Sequence, residues 1–377
     1  MNEERVTILS NVKKVVIKIG SGVLTRKEGL DLNIIDQLVD EIADLKKNGR
    51  HIVMVTSGAV ASGRHRMGIT RKLKNMPEKQ AAAAIGQGRL MRVYSNAFGR
   101  HGINVAQMLL TMSDLTDRQR FINIRNTLSQ LLEWGVVPII NENDTVSVEE
   151  IKFGDNDHLA AMMANIVGAD LLINLTNTDG LYDRNPKTSK KAKLINLVRK
   201  ITSEIEAAAT AESDPVGTGG MKSKIMAAQK VTVCGIPYII ASGKRKGIFE
   251  EIFSGKETGT FFLPMTNCLN SKEHWIAFTL RSRGKLVIDE GAKNAILNKG
   301  KSLLPSGIIG VEGEFTVGDP VACIDSEGNQ IAKGLVNYSS DEIKKIQGLK
   351  TAKIEQVLGH KHYDEVIHRD SMAVMKK

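Results

Sequence analysis

Lys18-Ile19-Gly20-Ser21-Gly22 follows directly on Lys14-Val15-Val16-Ile17, so a lysine and two glycines stand where a buried strand opens into a turn. Glycine lets backbone N–H groups come close to an anion, a helix start behind the turn adds partial positive charge, and Lys18 adds a full one. That is chemistry for a phosphate. The segment lacks the GK[ST] ending of a P-loop and the third glycine of a dinucleotide fingerprint, so neither common nucleotide motif is matched. A second turn of the same kind, Gly217-Thr218-Gly219-Gly220-Met221-Lys222-Ser223-Lys224, enters the helical pattern Ile225-Met226-Ala227-Ala228. Two lysine-bearing glycine turns at opposite ends of one α/β unit suit a polyphosphate gripped from both sides.

Between them lie polar segments at strand ends. The strand Val53-Met54-Val55 runs through Thr56-Ser57-Gly58 into a helix, with Ser57 placed as its N-cap. Asn141-Glu142-Asn143-Asp144 follows the strand 136–140, and Gly154-Asp155-Asn156-Asp157 comes soon after. Turns favour Asn and Asp for their own reasons. Two such clusters flanking one strand nevertheless fit a polar substrate pocket better than two unrelated turns.

The elements that must hold these residues alternate between strand and helix up to about residue 262. Ile34, Ile35, Leu38, Val39, Ile42 and Leu45 recur at helical spacing after Asp31, and Lys46-Lys47-Asn48-Gly49 ends that helix with a glycine at the left-handed position. Residues 51–55, 103–109, 136–140, 170–175 and 236–241 read as strands, apolar almost throughout and so covered on both faces. Right-handed crossovers then imply a mainly parallel sheet sandwiched by helices, an α/β fold. Past Leu263 the texture changes to a polar stretch and then to short glycine-punctuated strands with one helix near 290–297. A second, small and mainly β domain is expected there.

Composition sets bounds on function. The chain has 377 residues, 42% hydrophobic and 25% charged, ordinary values for two globular domains. No apolar run nears the roughly 20 residues that span a bilayer, and the N-terminal residues lack a signal-peptide pattern, so a cytoplasmic protein without membrane contact is expected. Cys234, Cys268 and Cys323 are too few and too scattered for a disulfide framework or a zinc site, and the histidines show no ligand spacing, so no protein-held metal is expected. The net charge of +10 is uneven: residues 1–265 hold 36 Lys plus Arg against 28 Asp plus Glu, whereas residues 266–377 hold 16 against 14. The near-balanced C-terminal part weakens an RNA-binding reading, because phosphate neutralisation carries most non-specific affinity.

The runs VVIKIGSGVLT, VTSGAVASGRHRMG, NEND, FGDND, NLTNTDGLYDRNP and GTGGMKSK, in this order, resemble the amino acid kinase family over most of the chain. The segments 358–360 and 364–370 resemble the end of a PUA domain. The resemblance implies an amino acid kinase domain over 1–263, a linker over 264–280 and a PUA domain over 281–377. It also implies a reaction, in the branch of the family that phosphorylates the γ-carboxylate of L-glutamate with ATP, forming γ-glutamyl phosphate as the first step toward proline.

The resemblance further implies roles. Lys18 and Lys224 would stabilise the transferred phosphoryl group and the leaving oxygen, Asp157 would hold the two lysines in register, and Gly20 and Gly58 would offer N–H groups to the moving phosphoryl. Ser57, Asp144 and Asn156 would bind glutamate, Asp144 pairing with its α-ammonium. Lys18, Thr176, Asn177, Thr218, Gly219, Gly220, Met221, Lys222, Ser223 and Lys224 would contact ATP, with Mg²⁺ as its companion ion. Asn177 stands where an aspartate is common, and Lys222 where a small hydroxyl residue is common, so either lysine, 222 or 224, could reach the phosphate. Partners implied in the same way are proline as feedback inhibitor, a second copy of the chain in a homo-oligomer, and a glutamyl phosphate reductase. Sister kinases acting on N-acetylglutamate, aspartate or UMP, which generally lack a PUA tail, are one alternative, and an RNA-binding or RNA-modifying protein defined by the PUA module is another.

Overall fold

A computed structural model of the chain describes residues 3–26, 29–147, 156–186, 188–211, 220–265, 273, 276–277 and 280–375. It divides into two units, Met1–Cys268 and Leu269–Lys377. Most of the expected linker lies outside the described residues. In chain order the first unit runs α1 (Glu3–Ser10), β1 (Lys14–Ile19), α2 (Ser21–Leu24), the short antiparallel pair β2 (Thr25–Arg26) and β3 (Gly29–Leu30), α3 (Leu32–Lys47), β4 (His51–Val55), α4 (Ala59–Arg66), α5 (Met76–Gly99), β5 (Val105–Leu110), α6 (Met112–Thr116), α7 (Arg118–Glu133) and β6 (Val137–Glu142). It continues with α8 (Asn156–Val167), β7 (Leu171–Thr176), β8 (Leu197–Val198), α9 (Ser203–Ala211), α10 (Met221–Thr232), β9 (Tyr238–Ser242), α11 (Ile248–Phe253) and β10 (Thr260–Phe262).

Among the described residues, the order β5-β6-β4-β1-β7-β9-β10-β8 makes one sheet, parallel at every pairing except β9 with β10. The parallel sheet sandwiched by helices is therefore what the apolar strand runs implied. Alternation along β1 decides where its lysine goes. Val15, Ile17 and Ile19 face the core packed by α3 and α5, while Val16 belongs to the core packed by α8 and α10. Lys18, in step with Val16, rises from that second face. Its neighbours in register are Val55 on β4 and Asn174 on β7.

Local chemistry sets the helix ends. Asp31 caps α3 by accepting from the Ile34 N–H (3.4 Å), and the helix closes on Lys46 and Lys47 with Gly49 at φ +81°. Asn75 caps α5 by accepting from the Glu78 N–H, and Arg71 grips the Glu78 carboxylate with both of its terminal nitrogens. This forked contact, together with the Lys74 N–H, holds the Glu78 carboxyl down to about 2. The 24-residue α5 is not among the elements the sequence pattern predicts. The first half of its buried face is built from Ala82, Ala83, Gly86 and Gln87 while Ile85 is exposed, so the apolar period shows only in the second half, at Leu90, Tyr94, Ala97 and Phe98. Strand β6 also differs: it runs two residues past the apolar stretch, pairing Asn141 and Glu142 with Leu109 and Leu110. Part of the polar cluster read as a turn is thus buried strand.

The second unit is a mixed sheet in the order β12 (Ile308–Gly313), β11 (Gly284–Ile288), β13 (Pro320–Ile324), β14 (Gln330–Leu335) and β15 (Met372–Val374). Its own core includes Leu286, Val321, Ile331, Ile343 and Ile367. The helix Glu290–Lys299 starts on Asp289, whose side chain accepts from the Ala292 N–H. Lys333 donates to the carbonyls of Ala277 (2.7 Å) and Leu280 (3.0 Å), and burial lowers its pKa. His360 and His362 stack at the surface, with His360 bonded to Glu342.

Helices α4 and α5 touch backbone to backbone. A Cβ added at Gly63 would overlap the carbonyl of Ala82, and one added at Gly86 would overlap that of Ala59. Gly86→Ala must therefore push apart two helices, one of which starts at the turn carrying Ser57. Overpacking of this kind costs about 1–3 kcal/mol, measurable as a fall in the urea midpoint. Gly88→Ala serves as the control, because its Cβ would meet nothing within 4 Å, and the better helix former should leave stability equal or raised by up to roughly 1 kcal/mol.

Candidate active site

The C-terminal ends of β1, β4, β6 and β7 and the first turns of α8 and α10 meet around one carboxylate. Asp157, fully buried in the first turn of α8, accepts on Oδ1 from the Lys18 ammonium and from Asn174 Nδ2 (2.7 Å). On Oδ2 it accepts from Lys224 Nζ (3.0 Å) and Ser223 Oγ (2.7 Å). Lys18 and Lys224 are only 3% and 5% exposed, so two cations share one anion away from water. Desolvation makes charges placed like this costly to leave without partners, and a phosphate entering here would meet both lysines. Asn174 is itself anchored, its Nδ2 also donating to the Tyr238 hydroxyl on β9 (2.7 Å).

Lys222 and Lys224 part company here. Lys222 is exposed, whereas Lys224 is buried on Asp157. Two residues apart on a helix, their side chains leave the axis roughly 200° apart, so only one can face the sheet. Gly220 is the N-cap of α10, and its carbonyl lies 2.8 Å from Ser223 Oγ, competing with Asp157 for the one hydroxyl proton; Met221 is buried behind it. Thr218 and Gly219 lie outside the described residues, as does Asp155.

The first glycine turn differs in detail from the expectation. Gly20 donates its N–H to the Leu175 carbonyl (3.0 Å), closing the junction of β1 with β7, so this group is not the one turned toward a phosphoryl. The N–H groups that the turn leaves outside the helix ladder belong to Ser21 and Gly22 in the first turn of α2. Asn177 lies over this turn, its side chain 3.5 Å from where a Gly22 Cβ would stand, and its Oδ1 accepts from Thr176 Oγ1 (3.3 Å). The Thr176 carbonyl accepts from the Gly243 N–H.

On the other side of Asp157, its neighbour Asn156 opens a chain of amides. Asn156 Nδ2 lies within donating distance of the Thr56 carbonyl (2.6 Å), Ser57 Oγ (3.0 Å) and Asn141 Oδ1 (2.8 Å). Ser57 is not the cap of α4. Gly58 takes that place at φ +97°, a conformation other residues rarely adopt, and so the serine hydroxyl is released to the amide cluster. Asp144 sits in the turn after β6, half-buried, three residues beyond Asn141. The structure thus brings Lys18, Lys224, Asp157, Ser223 and Asn156 together with Ser57, joined through the consecutive residues 156 and 157. Asn141, Gln87, Asn174, Tyr238 and Thr56 are further members of the site that the motifs alone did not select. One of them left a trace: Asn174 is a polar residue inside the apolar strand LLINL, where burial demands a reason.

Among the described residues no group of three or more His, Cys, Asp or Glu could hold a metal ion, and the oxygens of Asp157 already serve lysines.

The sequence matches the amino acid kinase family over residues 13–242 and the PUA domain over residues 284–358. It is 67% identical to the glutamate 5-kinase of Syntrophus aciditrophicus (strain SB) over 377 residues, covering 100% of this chain and 98% of that protein. It is 50% identical over 372 residues to the glutamate 5-kinase of Syntrophotalea carbinolica, covering 99% of this chain and 100% of the relative, and 50% identical over 369 residues to that of Geobacter sulfurreducens, covering 98% and 99%. With two lysines converging on one buried carboxylate at the strand ends of an α/β sheet, and with relatives of this closeness over its whole length, the chain belongs to the amino acid kinase family and groups with its glutamate 5-kinases.

Proposed function

We propose that the chain transfers the γ-phosphoryl group of ATP to the γ-carboxylate of L-glutamate, giving γ-glutamyl phosphate and ADP, the first step of proline biosynthesis. The observation that carries this reading is Asp157, shared by Lys18 and Lys224 and followed backwards in the chain by Asn156 on the Ser57 side. A carboxylate with an ordinary pKa near 4.3 is already ionised at neutral pH, so the nucleophile needs no general base. The carboxylate oxygen forms a bond to the γ-phosphorus as the bond from phosphorus to the bridging oxygen breaks, and the electron pair leaves with ADP. What remains for the protein is placement and charge. Lys18 and Lys224 meet the charge on the phosphoryl oxygens and the leaving oxygen, while Asp157 keeps both ammonium groups fixed before the reaction begins.

Ser57, Asn156 and Asp144 take the amino acid, Asp144 receiving its α-ammonium; Thr176, Asn177 and the start of α10 take the nucleotide. Mg²⁺ would travel with the nucleotide's phosphates, which needs no protein carboxylate cluster, and no step above is routed through it. On the family resemblance the proposal extends to inhibition by proline, assembly as a homo-oligomer, transfer of the labile product to a glutamyl phosphate reductase, and a cytoplasmic location. Among the described residues no helix is long and apolar enough to cross a membrane.

Lys18→Ala and Lys224→Ala should each lower kcat by roughly 100-fold or more, the order found when one donor to a developing charge is removed, while KM for glutamate stays within a few-fold. Steady-state kinetics with hydroxylamine trapping of the acyl phosphate reads this. A near-normal kcat with only a raised KM for ATP would remove the lysines from the transition state.

The pairing of Asp144 with a free ammonium predicts discrimination. N-acetylglutamate offers Asp144 no ammonium and should lose about 1.5–3 kcal/mol in kcat/KM, the order of one hydrogen bond to a charged group. Comparable kcat/KM values for the two compounds would contradict the assignment of Asp144.

The kinase domain is proposed to work without the PUA domain. A chain ending at Cys268 retains the whole sheet and both lysines, so it should fold, by circular dichroism, and still phosphorylate glutamate. A folded but inactive fragment would show that the second unit contributes to catalysis.

A further inference from the structure

Helix α5 carries three polar residues that the mechanism above does not use. Gln80, Gln87 and Tyr94 follow one another at intervals of seven, which on an α-helix returns to nearly the same face. Each bonds a different segment at the C-terminal ends of β4 and β6. Gln80 Nε2 donates to the Ser147 carbonyl (3.2 Å), Gln87 Oε1 accepts from Asn141 Nδ2 (2.9 Å), and the Tyr94 hydroxyl bonds Thr56 Oγ1 (2.9 Å). Tyr94 and Thr56 are completely enclosed, and burial raises the phenol's pKa, so it stays a neutral hydroxyl.

The sense of every amide in this cluster is fixed by partners that have only one role. The Thr56 carbonyl can only accept, so Asn156 must turn Nδ2 toward it. Asn141 then offers Oδ1 to Asn156 and to the Glu142 N–H (3.0 Å), which can only donate. Its Nδ2 is left facing Gln87, which must answer with Oε1. Gln87 is thus the acceptor at the end of the chain, 8% exposed, and its own Nε2 has no hydrogen bond among the described residues. Without the Gln87 oxygen, Asn141 Nδ2 would be buried with no acceptor, and turning the amide over would set Nδ2 against the Glu142 N–H and Asn156 Nδ2, so Asn141 would have to shift and Asn156 and Ser57 would lose its support.

We propose that the stripe Gln80–Gln87–Tyr94 is the positioning element of the acceptor site, with Gln87 anchoring Asn141, and through it Asn156, in place and thereby setting the affinity for the amino dicarboxylate. The inference rests on the reading of Ser57, Asp144 and Asn156 as the glutamate side of the site. The stripe acts through other side chains, and it reaches the acceptor side while the nucleotide side depends on β1, β7 and α10. Its signature is therefore a split between the two substrates.

Gln87→Met keeps length and volume and removes the acceptor; Tyr94→Phe removes one hydroxyl and nothing else. Gln87→Met should raise KM for glutamate about tenfold or more, the order of one buried donor left unpaired, with KM for ATP within about twofold. Tyr94→Phe should show the same selective rise at about threefold, since one neutral hydrogen bond is lost. The full-length protein is assayed throughout, with circular dichroism as the check of folding. If Gln87→Met leaves KM for glutamate unchanged, or raises both KM values by one factor, the positioning role is overturned. Should Gln87→Met not fold, an unchanged KM for glutamate in Tyr94→Phe overturns it instead. The wild-type protein separates this from the underlying reading, because absence of γ-glutamyl hydroxamate in its own assay would overturn the glutamate assignment, whereas its presence beside an unaffected Gln87→Met overturns only the stripe.

Discussion

A single carboxylate held between two ammonium groups organises this molecule. Asp157 is enclosed, and so are the ends of Lys18 and Lys224. Burying three charges is justified energetically only if geometry supplies each with partners. That condition reaches far into the fold. Lys18 must leave β1 on the face covered by α8 and α10, Lys224 must lie in the first turn of α10, and α8 must begin with Asp157 beneath both. A parallel sheet meets the condition because its strand ends and following helix starts gather on one side, where unpaired backbone N–H groups also favour an anion. Ser223 and Asn174 complete the set by donating to the carboxylate from opposite sides, so that neither oxygen depends on lysines alone.

Two lysine ends beside one carboxylate, where strand ends and helix starts meet, favour a negative group that enters between the glycine turn of β1 and the start of α10. Position 156 then links this to the acceptor. Asn156 and Asp157 are consecutive, yet one side chain turns to Ser57 and Asn141 and the other to the lysines. The first turn of α8 therefore sets the distance between nucleophile and phosphate, and proximity of this kind supplies much of the rate in a reaction that needs no base.

The architecture was legible because its signals are local. Strand runs such as Val15–Ile17 and Leu171–Ile173, and the helical spacing from Ile34 to Leu45, belong to single elements. The lysines and Asp157 were legible through their resemblance to a family. The supporting residues were not, for physical reasons. Gln87 lies in the alanine- and glycine-rich stretch AAAAIGQG, whose burial comes from backbone contact with α4 and leaves no apolar period. Asn141 looked like part of a turn, yet pairing with β5 draws it into the strand. Ser57 looked like a helix cap, but Gly58 can adopt the left-handed conformation that the entry to α4 takes, and it displaces the serine. In each case a partner distant in sequence decided the outcome.

Asn174 shows how such partners alter the meaning of a residue. A strand covered on both faces gains most from apolar side chains, and its neighbours Ile173 and Leu175 obey that rule. Asn174 breaks it at a cost, since its Oδ1 is buried with no hydrogen bond among the described residues. Its Nδ2 meanwhile joins Asp157 to Tyr238 across two strands. The orientation of that amide follows from the carboxylate, which can only accept. A purely structural core would replace the pair with packed apolar groups and be equally stable or more so. Its presence beside Lys18 in register indicates that stability is given up where the carboxylate must be held in one orientation, which is where departures from core packing are expected in an enzyme.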